Sequence, residues 1–141
     1  MSMADRPSSR FDHAGLAVAD LAAATAWYVE ALGLEQELTL RIEEIELDIE
    51  MLRHPAYGYR IELLHRPDTA GAKPADPAQA ALVAGYGHLA FDVGDLEAAY
   101  DRVVSLGARP VMDPRPAPEP GVRMAFVADP EGNLLELLQR S

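Results

Sequence analysis

Apolar and polar positions alternate along several short stretches of this chain and recur at helical spacing along two others. Phe11 to Val18 alternates well enough for a strand. The Ala-rich run Leu21 to Leu32 follows, with Trp27, Tyr28 and Leu32 available for a packed face. Asp20 is placed to cap its N-terminus, and Gly33 to stop it. Leu34 to Ile42 and Ile45 to Leu52 read as two further strands. In the second, Ile45, Leu47, Ile49 and Met51 fall on one side and Glu46, Asp48 and Glu50 on the other. The acidic run Glu43 to Glu50 is most simply a solvated strand face. His54 to Gly58 has the composition of a turn, and Tyr59 to Leu64 makes a fourth strand. The order so far is β-α-β-β-β.

Residues 66–85, with Pro67, Pro74 and Pro77, form a linker with a short helical turn around Ala78 to Val83. The same order then returns. A strand over 86–93 leads to an Asp95 cap, a helix over 96–106, a Gly107 stop and a strand over 108–112. A loop holding Pro114, Pro116, Pro118 and Pro120 separates these from strand Val122 to Ala128, the turn Asp129 to Gly132 and strand Asn133 to Gln139. The expected organisation is a flexible leader over 1–10 and a single α+β domain over 11–139. Module one is 11–65 and module two 86–139. Fused, they would make one curved mixed sheet whose concave side is a cleft.

The repeat is written in the residues as well as in the pattern. At an offset of 75, His13 answers His88, Val18 answers Val93, Asp20 answers Asp95 and Leu21 answers Leu96. At an offset of 74, Ile61-Glu62-Leu63-Leu64 answers Leu135-Glu136-Leu137-Leu138. Each copy therefore carries one His near its start and one Glu near its end, separated by 49 residues in the first copy and 48 in the second. A carboxylate within an otherwise apolar strand is costly to bury unless it is paired or binds a metal. Pseudo-twofold symmetry would gather His13, Glu62, His88 and Glu136 around one point. Two imidazoles and two carboxylates suit one divalent ion, such as Ni, Zn, Co, Mn or Fe.

Composition narrows the partners. The net charge of -11 argues against nucleic acid, which needs a basic face, and against an anionic membrane surface. With no cysteine there is neither a disulfide nor a thiolate-ligated metal. No apolar run approaches a membrane span of roughly 20 residues, and the first ten residues lack a signal peptide's apolar core. The expectation is a cytoplasmic protein acting on a small molecule. The linker would let the modules pair within one chain or exchange between two, so a homodimer is expected.

Three stretches resemble a known family: His13-x-x-x-x-Val18-x-Asp20-Leu21, Tyr86-Gly87-His88-Leu89-Ala90-Phe91, and Ala125 to Leu137 with its Asp129-Pro130-Glu131-Gly132-Asn133 turn. They are similar to the vicinal oxygen chelate superfamily, which includes glyoxalase I, methylmalonyl-CoA epimerase, extradiol dioxygenases and drug-resistance proteins. The last two stretches look most like bacterial glyoxalase I. The resemblance implies paired β-α-β-β-β modules around a metal, with His13, Glu62, His88 and Glu136 in all four ligand places. It implies a lyase or isomerase that moves a proton next to a carbonyl while the metal stabilises an enediolate. Glu136 is the expected base and Glu62 its partner. An epimerase, an Fe(II) extradiol-type dioxygenase and a non-catalytic drug-binding protein are the alternatives. The Glu at position 62 tilts the choice away from the dioxygenase, which has no carboxylate ligand there. Ala17 and Arg66 stand where glyoxalase I carries an Arg and an Asn that serve glutathione. Arg60, Arg66 and Arg123 are then candidate partners for some other anionic group. Tyr57, Tyr59 and Met124 are candidate pocket residues, and His54 and His65, without repeat partners, read as non-ligands.

Overall fold

The computed structural model describes residues 1–140. Module one runs β1 (His13–Ala17), α1 (Leu21–Leu32), β2 (Glu35–Ile42), β3 (Leu47–Arg53) and β4 (Arg60–His65). After a short α2 (Pro77–Ala80) in the linker, module two runs β5 (Leu89–Asp92), α3 (Leu96–Ser105), β6 (Arg109–Pro116), β7 (Arg123–Ala128) and β8 (Leu134–Gln139). The sheets have the same order, β1-β4-β3-β2 and β5-β8-β7-β6. In each, the first strand pairs in parallel with the last and the remaining pairs are antiparallel. The local signals act alike in both copies. Asp20 accepts from the Ala23 amide at 3.0 Å and Asp95 from the Ala98 amide at 3.1 Å, so each carboxylate caps its helix. Gly33 closes α1 in the left-handed region at φ 68°, which a Cβ would disfavour.

Several boundaries moved. Strand β5 begins at Leu89 rather than 86, leaving His88 at its mouth and Tyr86 exposed. Ile45 belongs to a 3-10 turn (Glu43–Ile45), and β3 starts at Leu47. Strand β6 runs on through Pro114 and Pro116, where a loop was expected. It is the outer strand of its sheet and its register with β7 shifts twice, so prolines that cannot donate remove no interior ladder bond. The acidic side of β3 is not simply solvated either. Glu50 is buried and accepts from the Thr39 hydroxyl at 2.9 Å, while Asp48 is ion-paired with Arg41 at 3.0 Å.

One hydrophobic core serves both modules. It takes Trp27, Tyr28 and Ala31 from α1, Ile61 and Leu63 from β4, Leu96 and Val103 from the α3 region, and Leu135 and Leu137 from β8. Side-chain hydrogen bonds cross between the modules. Trp27 Nε1 donates to the Leu106 carbonyl at 2.9 Å, and the Tyr28 hydroxyl to Asp129 at 2.6 Å. Arg102 donates to the Glu30 carbonyl at 2.8 Å. The Glu131 carboxylate accepts from the amides of Ala19 and Asp20, at 2.6 and 2.9 Å, just ahead of α1. The two sheets remain separate four-stranded sheets, so the single continuous sheet expected from the repeat is not formed within one chain. Among the described residues no helix is long and apolar enough to cross a membrane.

Burial, and next to it the Asp129 carboxylate, push the Tyr28 phenol well above its ordinary pKa of 10.0. In the unfolded chain that phenol ionises at the ordinary value. Its contribution to stability is therefore complete below pH 10 and is lost as pH rises beyond it. Denaturant midpoints followed from about pH 8 to about pH 11 should fall more steeply for the wild type than for Tyr28→Phe; parallel curves would refute this.

Candidate metal centre

Strand alternation sets up each half of the site. In β4, Ile61 and Leu63 point into the shared core, which turns Glu62 to the opposite face. In β8, Leu135 and Leu137 do the same, which turns out Glu136. The parallel register places Gly15 beside Glu62 and Ala90 beside Glu136. A Cβ on Gly15 would stand 3.6 Å from Glu62 Oε1 and 3.2 Å from Leu64, so glycine keeps the space above that carboxylate open. His13 Nε2 lies 3.7 Å from Glu62 Oε1, and His88 Nε2 lies 3.4 Å from Glu136 Oε1.

The structure thus brings the four residues together as two pairs. Among the described residues no group of three or more His, Asp or Glu side chains in one chain is arranged to hold an ion. The reason lies in the packing. The common core occupies the helix side of both sheets, so each pair lies on the face its sheet turns away from that core.

The pairs themselves suit a divalent ion. Two donors each about 2.1 Å from one ion sit about 3.0–3.4 Å apart, depending on the angle between them. The His88–Glu136 separation matches this and the His13–Glu62 separation is a few tenths of an ångström longer. Ring orientation is held in both cases. Asp12 lies 2.7 Å from His13 Nδ1, which makes Nδ1 the donor and leaves the Nε2 lone pair facing Glu62. The His13 bond holds the Asp12 carboxyl below its usual range. In module two the His88 ring stands edge-on to Phe126, centroids 5.1 Å apart. Neither Asp12 nor Phe126 was singled out from sequence. An Asp directly preceding the repeated His was the available signal for the first; Phe126 has no comparable mark.

Residues opposed across antiparallel strands share a face. Leu38 and Met51 therefore lie in the row of Glu62, with Leu40, Ile49 and Leu64 in the next row. Phe126 and Met112 lie in the row of Glu136, and Met124 beside Leu138. Met124 is thus a wall of the candidate cleft, whereas Tyr57 and Tyr59 line a separate crevice with Ile61. Arg60 is engaged by Glu37 at 2.8 Å and Arg123 by Glu97 at 2.5 Å, while Arg66 follows the end of β4. His65 donates from Nδ1 to the Val18 carbonyl at 2.9 Å, and His54 Nδ1 accepts from the amides of Ala56 and Tyr57. Both rings are engaged in backbone structure away from the two pairs.

Comparison with known proteins gives consistent results. A family model described as the Glyoxalase/Bleomycin resistance protein/Dioxygenase superfamily matches residues 10–137. A Synechocystis protein named probable lactoylglutathione lyase is 30% identical over 134 residues, spanning 92% of this chain and 94% of that protein. The crystal structure of a glyoxalase family protein from Enterococcus faecalis superposes with a TM-score of 0.77 at 24% identity, over 94% of this chain and 98% of that one. Glyoxalase I from Zea mays superposes with a TM-score of 0.75 at 22% identity over 94% of this chain, which spans only 45% of the maize chain.

Proposed function

Because this chain belongs to the Glyoxalase/Bleomycin resistance protein/Dioxygenase superfamily, we propose that it is a divalent-metal-dependent lyase or isomerase of the glyoxalase I type. The observation that carries this reading is the pair of matched His–Glu sites, each with an imidazole Nε2 facing a carboxylate oxygen on the open face of its sheet. His13, Glu62, His88 and Glu136 would hold one ion. When bound, the ion would supply Lewis-acid polarisation of two neighbouring substrate oxygens. Glu136 takes the proton from the carbon next to the carbonyl and returns it to the adjoining carbon, so the reaction needs no outside acid or base. It is the more enclosed carboxylate, with its side chain 16% exposed against 21% for Glu62, and it stands in a row with Phe126. Less water competes for its lone pairs. Glu62 stands in the equivalent place, and Asp12 and Phe126 orient the two rings.

The pairs belong to opposite halves of a duplicated chain whose halves are tied back to back through one core. A second copy that set its module two beside this module one would complete the site, so the working form is a cytoplasmic homodimer with two shared sites. The substrate is a small molecule with two adjacent oxygens. Relatives named for lactoylglutathione make a hemithioacetal of an α-oxoaldehyde the first compound to try.

Metal analysis of the purified protein should find about one Ni, Zn, Co, Mn or Fe ion for each set of four ligands. Chelation should abolish turnover of hemithioacetals made with several thiols, in a panel that also holds methylmalonyl-CoA and catechols. Oxygen uptake with a catechol and Fe(II) would favour a dioxygenase instead. Shared sites have their own signature. A His13→Ala/Glu62→Ala chain and a His88→Ala/Glu136→Ala chain, each inactive alone, should regain about a quarter of wild-type activity when unfolded and refolded together, because half the dimers are mixed and each holds one intact site. No recovery would place all four ligands within one chain.

A further inference from the structure

A crevice of about 840 Å³ opens between the modules, lined by Ala14 and Ile61 on one side and Leu89, Phe91 and Val103 on the other. Ile61 is a core residue, so most of this wall belongs to the helix side of the sheets, whereas Glu62 and Glu136 project from the other side. A ladder of rings runs along the crevice. His54 stacks on Tyr57 with centroids 4.7 Å apart and on Tyr59 with centroids 5.3 Å apart, both at 27° between planes. Tyr59 in turn meets Phe91 of module two at 5.8 Å. At the mouth, Tyr57 and Phe11 are 81% and 76% exposed. These two exposed rings beside the cavity offer flat apolar faces on which another ring can stack.

The arginines that line the crevice are already paired. Arg60 is held by Glu37 at 2.8 Å with Asp12 at 3.7 Å, and Arg102 lies 3.8 Å from Glu30. Among the described residues lining the crevice, both arginines are thus engaged by carboxylates and do not call for an anionic ligand. The volume lies within the roughly 300–1,000 Å³ of small-molecule pockets, and apolar walls with a few polar groups at the rim are their usual make-up. We propose that this crevice is a second binding site, for an uncharged, planar aromatic molecule that stacks against the Tyr57 and Phe11 rings and bridges the two modules. The site does not depend on the metal reading, because it shares no residue with the His–Glu pairs.

The probe is N-phenyl-1-naphthylamine, a neutral aromatic whose fluorescence rises in apolar surroundings, titrated into the full-length protein. Saturable binding is expected. Phe11→Ala/Tyr57→Ala should weaken it by about tenfold or more, and Tyr57→Phe, which keeps the ring, should retain it. His13→Ala/His88→Ala should leave it unchanged. Three results would overturn the proposal: binding indifferent to the Phe11 and Tyr57 substitutions, binding lost in the histidine variant, or light scattering showing that Phe11→Ala/Tyr57→Ala splits a dimer. The last would assign these rings to a contact between copies.

Discussion

Glu136→Gln should lower kcat by about 10²- to 10⁴-fold with little change in KM, the usual loss when a general base is removed. The exchange keeps the shape of the side chain and a carbonyl oxygen that can still face an ion, but the amide cannot accept the substrate proton. Metal content should therefore remain close to the wild type while exchange of the substrate C–H with solvent deuterium stops. Retained metal separates loss of the base from loss of the centre. Glu62→Gln is the comparison, since that residue occupies the matching place 3.7 Å from its own histidine. The expected order is a smaller loss at Glu62. A Glu136→Gln enzyme with wild-type turnover would remove Glu136 from the role of base, and a larger loss at Glu62 would exchange the two roles.

The largest effect on stability should come from Asp129→Ala. This carboxylate is buried, and it accepts from the Tyr28 hydroxyl, the Glu131 and Asn133 amides and Asn133 Nδ2, at 2.6–2.9 Å. Alanine would strand these donors inside the protein. At about 1–3 kcal/mol for each donor left unsatisfied, reduced by whatever water enters, the expected cost is about 3–5 kcal/mol. That is a large share of the roughly 5–15 kcal/mol that holds a domain folded. The damage would also spread, because the same turn carries Glu131, whose carboxylate accepts from the amides of Ala19 and Asp20 ahead of α1. Urea denaturation is the measurement, and a loss below about 1 kcal/mol would show that the turn is not the clasp between modules. Tyr28→Phe, which removes one of these bonds, should cost less, and combining the two changes should be less than additive because the residues share a contact.

The short-range features of this fold were legible because their causes are short-range. Asp20 and Asp95 read as helix caps from neighbouring residues alone, and both act as caps. The β-α-β-β-β order followed from periodicity and punctuation and recurs in both halves. Where a neighbour in space decides, local sequence carries no signal. Pro114 and Pro116 argued for a loop until β6 proved to be an outer strand. Glu50 looked solvated because alternation sorts residues into two faces without saying which face a helix will cover; the buried face includes Glu50, satisfied by Thr39. Tyr57 and Tyr59 were candidate pocket residues, and the structure places them in the crevice between the modules, where Tyr59 meets Phe91.

What the sequence determined by itself is the duplication, the four repeated ligand-type residues and the sharing of a face by neighbours two apart, since all of these are properties of spacing along a chain. Only the tertiary structure decided that the four form two pairs in one copy. The helices and the core sides of both sheets collapse onto one another, because that is where the apolar surface lies. That collapse commits the faces bearing His13 with Glu62 and His88 with Glu136 to the outside of the shared core.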